Sequence, residues 1–198
     1  MSFSRKEIRN VTVAALLIIG IGFSIAIYGN LFGGFDFTWT WDLTAVFALL
    51  MTASFLLHEF MHKITAQKFG LWAEFRLTTW GVVLTFVSIF LPFRMISPGA
   101  MMIAGSPSSD EIVKISVAGP LTNLILSVVF LGIGFPLSAG AWGQMLLFVS
   151  YINAWMAAFN LIPVGILDGY KVFTYNKKIW LAAFIPSVVI AVITFILY

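Results

Sequence analysis

Cysteine is absent from the chain, which excludes a disulfide framework and a thiolate metal site. Charge is scarce as well. Asp, Glu, Lys and Arg make up 10% of 198 residues, against 61% hydrophobic residues, whereas soluble domains carry about 25% charge. The net charge of +3 is small and scattered. That argues against a nucleic-acid partner and leaves the basic residues as markers of the cytoplasmic side. Only two histidines occur. What remains is apolar: mean hydropathy is +1.02, as expected of an integral protein in a lipid bilayer. Apolar runs use up most of the length, so the expectation is one transmembrane domain over 1–198 with no separate soluble domain.

A helical span needs about 20 apolar residues to cross about 30 Å of hydrocarbon. Four segments meet this, Val11–Tyr28, Leu43–His62 (its helix running on to about 67), Ile115–Phe135 and Trp142–Pro163, and a fifth is Ile179–Tyr198. The first follows a basic start, SFSRKEIRN, yet it is long for a signal peptide and offers only Ser24 and Ala26 as cleavage positions, so it reads as a retained helix. Arg5, Lys6 and Arg9 put the N-terminus inside, and the 29–42 loop, with Asp36 and Asp42 but no basic residue, lies outside. Lys63, Lys68, Arg76 and Lys114 are then inside, as are Lys171, Lys177 and Lys178. Both ends of 68–113 are therefore cytoplasmic. The run Thr78–Phe93 is too short for two crossings, is rich in β-branched and aromatic residues, and is flanked by Arg76 and Arg94. A re-entrant β-hairpin over 76–105, turning near Pro98–Gly99, fits these constraints. Such backbone is tolerated at membrane depth only where protein or a water cavity buries it. The expected fold is an all-α polytopic membrane protein of about five helices, with that β element between the second and third.

Ionisable groups cluster in LLHEFMHKITAQKFG, residues 56–70. On a helix, His58 and His62 lie one turn apart on one face, so both imidazoles can reach one ion. Glu59 sits one step round, near enough to touch a metal-bound water. This is His-Glu-x-x-His, in which two histidines hold Zn²⁺ and the glutamate is the general base. Catalytic zinc takes three protein ligands and keeps one position for water. Three fixed positions in five also arise by chance, and two histidines at a helix end can simply be hydrogen-bonded. Burying Glu59 with nothing to meet it would, however, cost several kcal/mol, and ionisable residues inside membranes mark functional sites.

A third ligand must be a carboxylate: Glu7, Asp36, Asp42, Glu74, Asp110, Glu111 or Asp168. Asp36 and Asp42 fall on the opposite side. Glu7, Asp110 and Glu111 lie beside basic residues or in polar loops, where solvation is the plain explanation. Asp168, in FNLIPVGILDGY, follows the fourth helix at the level of His62. Pro163 and Gly165 break that helix, and Gly169 would permit an unusual backbone angle after the aspartate. Asp before Gly is also a common turn pattern; a zinc ion short of one oxygen favours Asp168 as ligand.

Together HEFMH at 58–62, AGPLTN at 118–123 and NLIPVGILDG at 160–169 resemble the site-2 protease family of intramembrane zinc metalloproteases, in order and in spacing. The resemblance runs from about Leu43 to Lys171. It implies one catalytic Zn²⁺ on His58, His62 and Asp168, Glu59 as catalytic base, and transmembrane proteins as substrates in regulated intramembrane proteolysis. It makes Asn160 a donor to substrate or oxyanion. Gly119, Pro120 and Asn123 match the middle motif, whose plainer role is close helix packing with Asn123 bonded across helices. The expected location is a prokaryotic cell membrane, with the active site toward the cytoplasm by the charge placement above and regulatory membrane partners of unknown kind. Met61, where many relatives have Gly, and Ile166, where many have Pro, depart from the pattern without removing a ligand. The rival reading is an ion transporter or channel using the His/Asp cluster as a metal pathway, but no internal repeat of the transporter kind is present.

Overall fold

The computed structural model describes residues 3–32, 38–91 and 96–197. Its elements run α1 (Arg5–Phe32), α2 (Trp41–Lys68), β1 (Trp72–Leu77), α3 (Thr79–Ser88), β2 (Gly99–Ala104), α4 (Ser109–Gly134), α5 (Ala141–Asn160), α6 (Asp168–Tyr175) and α7 (Lys177–Leu197). A 3₁₀ turn at Phe135–Leu137 extends α4. Among the described residues, α1, α2, α4 with its 3₁₀ turn, and α7 are long and apolar enough to cross a membrane. The fourth expected span, α5, has the length, at 20 residues, but Gln144, Ser150, Asn153 and Asn160 dilute its apolar character. Leu16 and Ile27 on α1, Ile125, Val129 and Ile133 on α4, and Val189 and Ile196 on α7 point outward, as lipid solvation of a helix requires.

The chain divides into two compact units. The first holds residues 1–56 and 73–102, the second 57–72 and 103–198.

In the first unit the segment expected to be a hairpin is two paired strands separated by a helix. The apolar run from Thr78 is helical over Thr79–Ser88; Phe93 and Arg94 lie outside the described residues, as does Asp36 in the 29–42 loop. The β-branched Val82, Val83, Thr85 and Val87 favour a strand only weakly, since β-propensity mostly measures fit to a half-buried sheet. Thr78 overrides it as N-cap, its hydroxyl accepting from Gly81 N at 3.2 Å. β1 is gripped by the first turns of α1. Glu7 Oε1 accepts from Phe75 N (3.1 Å), Asn10 Nδ2 donates to Phe75 O (3.2 Å), and Ser4 Oγ donates to Glu74. Glu7 is only 1% exposed, which corrects the expectation of a solvated side chain. Asp110 and Glu111 do sit in polar surroundings: Asp110 pairs with Lys114, and Glu111 closes a capping box with Ser108 at the start of α4.

In the second unit, α4 through α7 surround a core of Val113, Val117, Leu161, Val172 and Ala183, with Trp180 and Phe184 packed against it. Trp180 Nε1 donates to Leu161 O at 2.7 Å. The end of α2 belongs to this unit and is closed by a Schellman motif: Leu71 N bonds Ala66 O (3.1 Å), Gly70 N bonds Gln67 O (3.0 Å), and Gly70 takes φ +73. The helix therefore stops two turns beyond His62.

Candidate metal centre

Three elements of the second unit converge on one point. α2 brings His58 and His62, α6 brings Asp168, and α4 forms the wall behind them. One ligand atom from each of His58, His62 and Asp168 lies within 4.8 Å of the other two. The two Nε2 atoms are 3.2 Å apart, and Asp168 Oδ2 is 3.5 Å from His58 Nε2 and 3.1 Å from His62 Nε2. Both imidazoles are buried, with Glu59 beside them at 7% exposure.

The tautomers follow from what the other ring nitrogens touch. His58 Nδ1 faces Asn123 Oδ1, and His62 Nδ1 faces Ile115 O at 2.7 Å. Each partner is an acceptor, so each Nδ1 carries the proton and donates. Both Nε2 lone pairs then point inward, toward each other and toward a carboxylate oxygen. Three electron-pair donors at this separation repel unless a cation lies between them. Two imidazoles and one carboxylate are the donor set of a catalytic zinc site, and carbonyl or amide partners on the outer nitrogens are the usual orienting contacts. The residues fit a Zn²⁺ ion. Burial, the largest single influence, works against the charge on Asp168; the charge and hydrogen bonding of His62 and His58 taken together outweigh it and hold the carboxyl below the ordinary range. The position of Asp168 at the first residue of α6 adds the helix dipole in the same sense.

The middle motif acts through α4. A Cβ on Gly119 would collide with His62 Nε2 and come within 2.6 Å of His58 Nε2. Glycine is therefore required there so that α4 can approach the ligand atoms themselves. Pro120, one residue on, cannot donate to Ser116 O, in the same turn whose Ile115 carbonyl accepts from His62 Nδ1. Asn123 does bond across helices. It meets His58, and its Nδ2 donates to Asn153 Oδ1 on α5 at 2.9 Å.

Asp168 meets the histidines as expected, but its local backbone differs from the expected turn. It opens a helix rather than ending a turn, and Gly169 has no positive φ. Its lack of a side chain serves proximity instead: a Cβ would strike the backbone of Leu161. The left-handed residue is Gly165, φ +60, in the tight turn where Leu167 N bonds Val164 O at 3.3 Å. Ile166 sits in that turn at 95% exposure, so its side chain contributes surface and packs against nothing at the site. Met61 is half-buried on α2. Asn160 ends α5 with its Nδ2 donated to Met156 O at 2.9 Å, a bond within its own helix. Asn153 and the Ile115 carbonyl have no counterpart in the sequence reading. An amide inside an apolar helix was the available signal for the first, and a backbone oxygen leaves none.

Comparison with known proteins identifies the family. The sequence model of peptidase family M50 matches residues 46–139. A Methanocaldococcus jannaschii protein provisionally named a zinc metalloprotease is 31% identical over 194 residues, covering 94% of this chain and 93% of that protein. A second protein of that organism, named a zinc metalloprotease, is 30% identical over 65% of this chain, and a Mycobacterium tuberculosis protein provisionally so named is 27% identical over 69%. The chain spans about a third of the length of those two. No solved structure gives a significant match. With a relative matched over nearly the whole of both chains and the family model matching 46–139, the chain belongs to peptidase family M50, the site-2 protease family.

Proposed function

We propose that the protein is an intramembrane zinc endopeptidase that cuts peptide bonds in or near transmembrane segments of other membrane proteins, as in regulated intramembrane proteolysis. One observation carries this reading: His58, His62 and Asp168 converge within 4.8 Å with Glu59 buried alongside. His58 Nε2, His62 Nε2 and an Asp168 oxygen are the atoms that would hold Zn²⁺. When bound, the ion supplies Lewis acidity that brings a water toward ionisation near neutrality and polarises a carbonyl. Glu59 takes the proton of the attacking water and delivers it to the leaving nitrogen. Asn160 serves as a donor to substrate or to the developing oxyanion once its Nδ2 leaves Met156 O.

In this reading α1, α2, α4, α5 and α7 cross the membrane with β1, α3 and β2 re-entrant between α2 and α4, and the bias of Lys and Arg supports a cytoplasmic N-terminus and site. A helical substrate hides its carbonyls and must unwind before hydrolysis. An exposed sheet edge would hold it extended by strand addition. Glu7 and Asn10 already occupy the outer side of β1 at Phe75, which leaves the edge of β2 for that role.

The test is zinc content together with cleavage of a panel of single-span substrates in liposomes. Stoichiometric zinc and cleavage lost in Glu59→Gln are expected. Metal flux without cleavage would overturn the reading in favour of a transporter. Asp168→Asn is expected to lower zinc occupancy, and unchanged stoichiometry would remove it from the ligand set.

A further inference from the structure

We infer that Asn153, on α5, is a positioning residue for the metal centre, acting through Asn123 on His58. The inference rests on His58 as a metal ligand, and its test is read without substrate.

An amide side chain can present either its oxygen or its nitrogen to a neighbour, and the two ends differ little in shape. Which end Asn123 offers to His58 decides the imidazole tautomer. Oxygen against Nδ1 requires Nδ1–H and leaves Nε2 with a lone pair. Nitrogen against Nδ1 would require a bare Nδ1, moving the proton to Nε2 and removing the ligand. Nothing in Asn123 itself selects between these. The selection comes from α5. Asn153 Nδ2 donates to Val149 O, 2.9 Å away in the same helix, so its Oδ1 faces Asn123. Against an acceptor oxygen, Asn123 must present Nδ2, and that bond is 2.9 Å. Its own Oδ1 is then turned to His58. A helix-backbone carbonyl, fixed by secondary structure, thus sets the orientation of two amides in series and the proton position on one imidazole.

The surroundings hold the series in place. Asn123 and Asn153 are both fully buried, where an unpaired amide is costly, so each must keep its partners. One turn further along, Ser127 Oγ donates to Ser150 O (2.8 Å) and Ser150 Oγ to Ser127 O (2.7 Å). These two bonds lock the register of α4 against α5 beside the amide pair.

The experiment measures zinc affinity by chelator competition on the full-length protein in detergent, with cobalt absorption as a second reading of ligand geometry. Asn153→Leu and Asn153→Ala are expected to weaken zinc about 10- to 100-fold, the effect typical of losing an outer contact to a ligating histidine. Asn153→Asp keeps the acceptor oxygen and is expected to retain most of the affinity. The decisive arm uses Asn123→Asp as background. A carboxylate has no nitrogen to turn toward His58, so the orientation no longer needs Asn153. Adding Asn153→Ala there should change zinc affinity by less than about twofold. Equal weakening in both backgrounds would mean that Asn153 only packs, and no weakening in the natural background would remove its role; either result overturns the inference. Absent proteolysis with this coupling intact would instead count against the proposed function alone.

Discussion

The backbone of Leu161 lies against Gly169, so close that a Cβ at 169 would collide with its carbonyl. That contact seats the first turn of α6 on the end of α5 and with it the side chain of Asp168. Gly169→Ala should therefore displace Asp168 from the histidines. Overpacking of this kind costs about 1–3 kcal/mol. We expect a lower thermal midpoint and zinc bound at least about tenfold more weakly, as when a ligand is mispositioned. Both are readable on purified protein by melting and chelator competition.

Gly119→Ala tests the other wall. The added methyl falls among the ligand nitrogens, so zinc stoichiometry measured by metal analysis should drop toward zero. Stoichiometric zinc in this variant would contradict the geometry described for α4.

Glu59→Gln should retain the metal, because Glu59 is not among the converging ligand atoms. Its cleavage rate should fall by about 10²–10⁴, the range for loss of a general base. Zinc content and single-turnover cleavage on one preparation separate the two effects.

The clamp of α1 on β1 makes a stability prediction. Glu7→Ala leaves the Phe75 N–H without its side-chain acceptor, at a cost of about 1–3 kcal/mol for a buried donor. Glu7→Gln keeps an acceptor and should spare most of it. Unfolding midpoints in mild detergent would show the ordering alanine, glutamine, natural chain from least to most stable.

The long apolar runs were legible from sequence because hydrocarbon demands length and composition, and α1, α2, α4 and α7 follow directly. That His58, His62 and Asp168 could meet was legible for another reason. His58 and His62 share a helix face, and Asp168 was singled out by its place after an interrupted helix. The misses have physical causes. α3 formed where β-branched residues suggested a strand, since a capped short helix outweighs a weak local preference. Glu7 looked solvated beside Arg5, Lys6 and Arg9, yet a backbone N–H 68 positions away in sequence captures it. Gly169 was expected to bend the chain and instead makes room for it. The bonds from Asn153 to Asn123 and from His62 to the Ile115 carbonyl arise from contacts that only the packing of α4 creates.

The tight turn at Val164–Leu167 leaves Ile166 standing almost wholly clear of the protein two peptide bonds before Asp168. A change of bulk or polarity at position 166 therefore meets nothing beneath it, however tightly Asp168 itself is held against the histidines.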